Sequence, residues 1–150
     1  MDDEISRVAD SLEEQINVGY SKVALDHAMK PRNVGRAERE NGFASYTGPC
    51  GDTMMISLRV EGGRIAESRF WTDGCGATIA SGSMVTELAE GKTLEEAVDI
   101  GQADVLAALG GLPAESEHCA LLAATALRKA VEDYLERTKD RMGPEEPRWD

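Results

Sequence analysis

The chain has little cysteine and no long apolar run. It contains three cysteines in 150 residues, and an odd number in a chain of this length does not fit a framework of paired disulfides. No apolar stretch approaches the roughly 20 residues of a membrane-spanning helix. The acidic N-terminus, MDDEISRVAD, does not fit a secretory signal peptide. These absences predict a soluble, cytoplasmic protein that works in a reducing compartment.

Positive charge is also scarce. The sequence has 28 acidic residues against 16 basic ones, for a net charge of −12. A surface with this charge repels nucleic acid and anionic membranes, so neither is an expected partner. The excess acid favours solubility, with a docking surface for a basic partner as the alternative.

The chain is expected to form one domain between two terminal extensions. We predict an N-terminal helical arm (1–18), a domain (19–139) and a flexible C-terminal tail (140–150). In the domain, a first helix is capped at Ser21 and ends before Pro31, because proline lacks an amide donor and disfavours helix in the preceding residue. The arm shows apolar residues at helical spacing: Ile5, Val8, Leu12 and Ile16.

Strands come before most of the helices, which indicates an α+β fold. The segments FASYTG, MMISLRV and IAESRFWT alternate in the manner of strands, and Gly62 and Gly63 suit a hairpin turn between the last two. Helical periodicity follows from Gly76, with a capping box at Thr93 and Glu96 and a final helix over CALLAATALRKAVEDYLERTKD. We expect a small antiparallel sheet of about three strands with helices packed on one face.

All three cysteines fall at junctions between these elements. Cys50 lies in GPCGDT, Cys75 in DGCGAT and Cys119 in EHCALL. Cys75 and Cys119 stand at predicted helix starts, where the free amides and the helix dipole favour thiolate, the form that binds soft metals. Neighbouring glycines leave room for a bulky object to approach the sulfurs: Gly51, Gly74 and Gly76.

Two further side chains beside these cysteines are capable metal ligands. Asp52 follows Cys50 closely and His118 precedes Cys119, and either one suits the fourth position of a tetrahedral site with three thiolates. Each residue alone has an ordinary explanation as a small hydrophobe, a turn residue or a helix cap. The shared setting of all three cysteines favours a metal site instead. Its candidate ligands are Cys50, Asp52, Cys75, His118 and Cys119.

Four ordered segments carry a family resemblance. DHAMKPRNVG, GPCGDTM, TDGCGATIASGSMVTELAEGKTLEEA and LPAESEHC resemble the U-type iron–sulfur cluster assembly scaffolds, both the housekeeping scaffold and the N-terminal domain of the nitrogen-fixation scaffold. The resemblance implies that Cys50, Asp52, Cys75 and Cys119 hold a nascent cluster. His118 matches the family's histidine beside the third cysteine. Whether Asp52 or His118 is the fourth ligand stays open.

The resemblance implies a scaffold for a transient [2Fe–2S] cluster, not an enzyme. In the family, a cysteine desulfurase passes persulfide sulfur to a scaffold cysteine, and Cys50, Cys75 and Cys119 are the candidates here. Fe²⁺ and electrons complete the cluster, which leaves for apo acceptor proteins. Three thiolates with an oxygen or an imidazole hold iron less firmly than four thiolates, which suits release. The sequence leaves open a [4Fe–4S] product and a homodimer around a shared cluster.

The chain departs from the family pattern before the third cysteine. Housekeeping members carry LPPVK there, which an Hsp70-type chaperone reads, whereas LPAES has Ala114 and Ser116 in place of the second proline and the lysine. This departure argues against that chaperone as a partner. The cysteine-rich middle region of the nitrogen-fixation scaffold does not follow, so we expect a stand-alone scaffold.

Two rival functions use the same residues. A zinc-dependent sulfurtransferase of the same fold has an extra segment between its second and third cysteines and no histidine beside the third, whereas His118 is present here. A purely structural zinc domain is disfavoured by glycine-flanked cysteines and a spare fourth ligand. Zn²⁺ is still a suitable occupant of the apo site, because three thiolates plus Asp52 or His118 match its preferences.

Overall fold

The computed structural model describes residues 20–142, which form an α+β fold as predicted. The predicted arm (1–18) and residues 143–150 of the predicted tail lie outside the described residues. None of the described helices is both long and apolar enough to cross a membrane. In chain order the elements are α1 (Lys22–Met29), β1 (Gly42–Thr47), β2 (Thr53–Glu61), β3 (Arg64–Thr72), α2 (Gly76–Ala89), α3 (Leu94–Val98), α4 (Gln102–Leu109), a short 3₁₀ turn (Ala114–Ser116) and α5 (His118–Met142).

The three strands form one antiparallel sheet in the order β1-β2-β3. The hairpin between β2 and β3 turns at Gly62 and Gly63, whose φ angles are 60° and 76°. Two consecutive residues with positive φ match the twist of paired strands, and glycine adopts them without strain. The predicted hairpin is confirmed.

The core lies between the sheet and the helices packed against it. Helix α5 covers β1 and β2, and α2 covers β3. Small residues let α5 come close to the sheet, since a Cβ added at Gly42 would stand 2.8 Å from the carbonyl oxygen of Ala130. Alternate residues of β2 are buried beneath the helices: Met54, Ile56, Leu58 and Val60.

Helix α2 is set against β3 and α1 by two close contacts. A Cβ added at Gly82 would stand 2.4 Å from the Phe70 ring, so glycine permits the approach to β3. On α1, His27 Nδ1 lies 2.7 Å from Ser83 Oγ. These contacts hold α2 against β3 and α1.

Candidate functional site

The β1–β2 turn carries Cys50 and Asp52. The Gly48 amide donates to the Asp52 backbone oxygen at 2.9 Å, and the Gly51 amide donates to the Gly48 oxygen at 3.0 Å. Gly51 has φ +99°, where a side chain is strained, and nothing lies within 4 Å of a Cβ built there. Gly51 therefore serves the backbone turn, and it presents Cys50 as an exposed side chain.

Cys75 is the residue before the first turn of α2. Its backbone oxygen accepts from the amides of Thr78 at 2.7 Å and Ile79 at 3.2 Å, while its side chain caps nothing and is exposed. The neighbouring residue, Gly74, must be a glycine for steric reasons. A Cβ there would stand 2.7 Å from both Asp52 Oδ2 and the Thr78 side chain. Glycine thus lets the β1–β2 turn and α2 meet next to Cys75.

Cys119 lies in the first turn of α5 and is only 5% exposed. Its Sγ stands 3.3 Å from Thr78 Oγ1 and 3.8 Å from His118 Nε2. Burial raises the pKa of the Cys119 thiol, and nearby negative groups raise the pKa further: Asp52, Cys50 and Cys75. The raised pKa of Cys119 runs against the expectation that its helix start favours thiolate, and burial is the main cause.

Thr78 connects the carboxylate to the buried sulfur. Its hydroxyl donates to Asp52 Oδ2 at 2.9 Å and contacts Cys119 Sγ, and the residue is 2% exposed. Sequence reasoning missed Thr78, because a threonine in a helix has many ordinary roles. The sequence feature that could have identified Thr78 is its position in the first helical turn after Cys75.

Cys50 and His118 line one cavity of about 150 Å³. Its wall is mostly apolar, so a group bound at Cys50 has little competing water on that side. The remaining lining residues come from β1, the β1–β2 turn and α5: Tyr46, Gly48, Pro49, Leu121, Leu122 and Thr125.

Tyr20 approaches the site from the start of α1, and sequence reasoning missed it too. Its hydroxyl would stand 3.2 Å from a Cβ built at Gly76. Burial raises the pKa of Tyr20, negative charge on Cys119 and Cys75 raises it further, and hydrogen bonds with Ser116 and Ala77 lower it. The phenol therefore lies within electrostatic range of two of the three sulfurs.

The structure brings the five predicted ligands to one end of the molecule without closing them around one point. Cys119 contacts His118 directly and is linked to Asp52 by Thr78, while Cys50 shares the cavity with His118. Within the described part of the chain, no group of three or more histidine, cysteine, aspartate or glutamate side chains stands ready to hold a metal ion. Cys50 and Cys75 are exposed, whereas Cys119 is buried. The donor set of sulfur, carboxylate and imidazole itself suits iron or zinc.

Comparison with known proteins gives consistent matches over most of the chain. Residues 19–141 match the family model described as NifU-like N terminal domain. The chain is 48% identical over 119 residues to the iron-sulfur cluster assembly scaffold protein IscU 1 of Archaeoglobus fulgidus, covering 79% of this chain and 78% of that protein. It is 41% identical over 122 residues to the iron-sulfur cluster assembly scaffold protein IscU of Escherichia coli, covering 78% and 94%. The fold is similar to that of a nitrogen-fixing NifU-like protein (N-terminal) from Brucella abortus, with a TM-score of 0.61 at 19% identity over 78% of this chain and 94% of that one.

Proposed function

Because the chain belongs to the family of NifU-like N-terminal domains, we propose that it is a scaffold on which iron–sulfur clusters are assembled. The observation that carries the proposal is the gathering of three free cysteines, one carboxylate and one imidazole at one end of the fold. Relatives 48% and 41% identical are named as scaffolds of this kind, which supports the proposal.

The cargo is a [2Fe–2S] cluster built from separate substrates. A cysteine desulfurase supplies persulfide sulfur to Cys50, Cys75 or Cys119, and two electrons are needed to reduce each such sulfur to sulfide. Fe²⁺ binds to the thiolates, and the finished cluster passes to apo iron–sulfur proteins. This chemistry requires reduced thiols, so we place the protein in the cytoplasm.

Weak retention is built into the ligand set. Three thiolates bind iron firmly, whereas Asp52 offers a hard oxygen and His118 an imidazole for the remaining position. Zn²⁺ accepts the same set and is the expected occupant of the site when iron is absent. The ratio of cluster to chain distinguishes a cluster held by one protomer from one shared in a homodimer.

Anaerobic reconstitution tests the proposed function. Protein, a cysteine desulfurase, cysteine and Fe²⁺ are expected to give the absorption and Mössbauer spectra of a [2Fe–2S] cluster. Cys50→Ser, Cys75→Ser and Cys119→Ser are each expected to lose it. Melting curves of the zinc-free variants check that folding is retained, which matters most for the buried Cys119. A wild-type protein that forms no cluster, or Cys75→Ser protein that keeps a normal one, contradicts the proposal.

A further inference from the structure

Thr78 stands where three elements of the site meet. It lies on α2 with its own amide bound to the Cys75 oxygen at 2.7 Å, so its backbone position is fixed. Its hydroxyl reaches Asp52 Oδ2 on the β1–β2 turn at 2.9 Å and Cys119 Sγ on α5 at 3.3 Å. One buried hydroxyl therefore contacts two of the candidate ligands without being a ligand itself.

The direction of these hydrogen bonds follows from counting protons. A threonine hydroxyl has one proton to donate, and a carboxylate only accepts. The Thr78 hydroxyl therefore donates its proton to the hydrogen bond with Asp52. Toward Cys119 the hydroxyl oxygen then offers its lone pairs. The bond to the carboxylate is the charge-assisted one and is the stronger of the two. Thr78 therefore acts mainly on Asp52.

The local sequence keeps this contact free of obstruction. The 2.7 Å distances from a Cβ at Gly74 to Asp52 Oδ2 and to the Thr78 side chain mean that any larger residue would push the two apart. Asp52 is only partly buried, so it has water as an alternative partner when the hydroxyl is absent. Among the described residues, the Thr78 hydroxyl is the side-chain donor that holds Asp52 Oδ2.

From this geometry we propose that Thr78 is a positioning residue, which holds the Asp52 carboxylate beside the Cys119 sulfur so that Asp52 acts on bound cargo from one fixed direction. The inference rests on the proposed function, because it concerns cargo bound at these residues. Loss of the hydroxyl lets Asp52 turn to solvent, and the site then behaves as if Asp52 were missing. Release of metal or cluster becomes slower, since the carboxylate that promotes exchange is no longer in place.

A set of matched variants tests this role. Thr78→Val keeps the shape and removes the hydroxyl, and Thr78→Ser keeps the hydroxyl. Asp52→Ala is the reference, and Asp52→Ala is also combined with Thr78→Val. The control is Thr86→Val, because Thr86 is a buried threonine on the same helix whose hydroxyl donates to the Ser83 carbonyl oxygen at 2.8 Å and accepts from Asn33 Nδ2 at 3.1 Å. Two rates are measured for each variant: release of Zn²⁺ to a chromogenic chelator, and transfer of a [2Fe–2S] cluster to an apo-ferredoxin.

Thr78→Val is expected to slow both rates by about threefold to tenfold, the equivalent of one hydrogen bond. The rates of Thr78→Ser should stay within about twofold of wild type. Adding Thr78→Val to the Asp52→Ala protein should also change its rates by no more than about twofold, as expected for two residues that act as one unit. Thr86→Val should change the melting temperature and neither rate.

Other results overturn the role of Thr78. They are unchanged or faster release from Thr78→Val, failure of Thr78→Ser to restore the rates, and an effect of Thr78→Val that persists in the Asp52→Ala protein. The zinc arm separates this inference from the proposed function. Wild-type protein that forms no cluster but shows the expected zinc pattern contradicts the scaffold function alone, whereas protein that binds neither zinc nor a cluster contradicts both.

Discussion

Asp52 differs from the three candidate cysteine ligands in the hardness of its donor atom. Thiolate is a soft ligand that iron–sulfur clusters favour, whereas a carboxylate oxygen is hard and exchanges readily. The structure holds Asp52 Oδ2 against the Thr78 hydroxyl and leaves the rest of the residue partly exposed. Among the candidate ligands, Asp52 is thus the one best suited to open the site for exchange.

Asp52→Ala is expected to give a cluster that forms but leaves slowly. The three cysteines remain, and His118, whose Nε2 lies 3.8 Å from Cys119 Sγ, is available for the vacated position. Decay of the visible absorption and transfer to an apo-ferredoxin should both be slower than in wild type. Faster cluster loss from the variant would refute this assignment.

Asp73→Ala provides the matched control for Asp52→Ala. Asp73 Oδ1 accepts the Thr53 amide at 2.9 Å, so the substitution removes the same charge from the adjacent loop and one hydrogen bond. It should cost about 1 kcal/mol of folding free energy and leave transfer unchanged. If Asp52 merely caps its turn, Asp52→Ala should show that same pattern, with a loss of about 1 kcal/mol and an unaltered transfer rate.

At the scale of elements, the sequence correctly predicted the helix cap and the hairpin turn, which depend on contacts between residues close together in the chain. Thr93 and Glu96 form the expected capping box, with the Thr93 amide donating to Glu96 Oε1 at 2.9 Å and the Glu96 amide donating to Thr93 Oγ1 at 3.2 Å. Gly62 and Gly63 form the expected hairpin turn. Each of these features involves residues within one turn of chain, so the pattern of side chains is enough to identify it.

Features that depend on packing between elements were not visible in the sequence. The five candidate ligands were found from residue type, but the burial of Cys119 and its raised thiol pKa follow from how α5 packs against α2. The contact between Thr78 and Asp52 joins residues far apart in the chain. Gly74 was expected to make room for a ligand, whereas the structure uses it to admit that contact.

The segment between α4 and α5 leads directly into His118 and Cys119. Leu112 and Pro113 are buried, whereas Ala114 and Glu115 are exposed and form a 3₁₀ turn with Ser116. Only the second half of LPAES is therefore available to a partner. Substitutions at Leu112 or Pro113 would disturb packing and would not report on recognition.

The exposed half of this segment should not support recognition by an LPPVK-reading Hsp70-type chaperone. We expect wild-type protein to stimulate the ATPase of such a chaperone poorly, and the combined Ala114→Pro, Glu115→Val and Ser116→Lys variant to stimulate it. Proline is tolerated at 114, the first position of the 3₁₀ turn, where the amide has no role in the turn. Robust stimulation by the wild-type protein would show that the departure from LPPVK does not matter.

Over the whole molecule, the free energy of unfolding should fall in acid, because unfolding lets several groups take up protons more readily. Hydrogen bonds lower the pKa of surface carboxylates, with Arg36 acting on Glu40 and Arg69 acting on Glu67. A carboxyl whose pKa is lowered by folding stabilises the native state above its unfolded pKa, and that contribution is lost as pH falls through the lowered value. Each pair contributes little, because its arginine is exposed to solvent. His27 is a buried group whose lowered pKa likewise makes the native state less stable in acid.

His27 is 5% exposed between α1 and α2, and burial lowers its pKa below the ordinary 6.5. The Arg32 guanidinium lowers the pKa further, while Glu87, with Oε1 at 3.7 Å from Nε2, and Asp26 raise it in part. Ser83 Oγ accepts the Arg32 amide at 2.9 Å, which leaves its hydroxyl proton for His27 Nδ1 at 2.7 Å. Burial and the Ser83 hydroxyl therefore both favour the neutral imidazole in the native state.

The melting temperature of the metal-free, reduced protein should fall as pH drops below about 6.5, because the unfolded chain binds a proton at His27 that the native state resists. His27→Gln removes this titration and keeps an amide that can accept from Ser83, so its melting temperature should change less between about pH 6.5 and pH 5. Thermal melts of both proteins, measured with a chelator and reductant across that range, provide the comparison. Equal slopes would mean that the ion-paired carboxylates, and not His27, control acid stability.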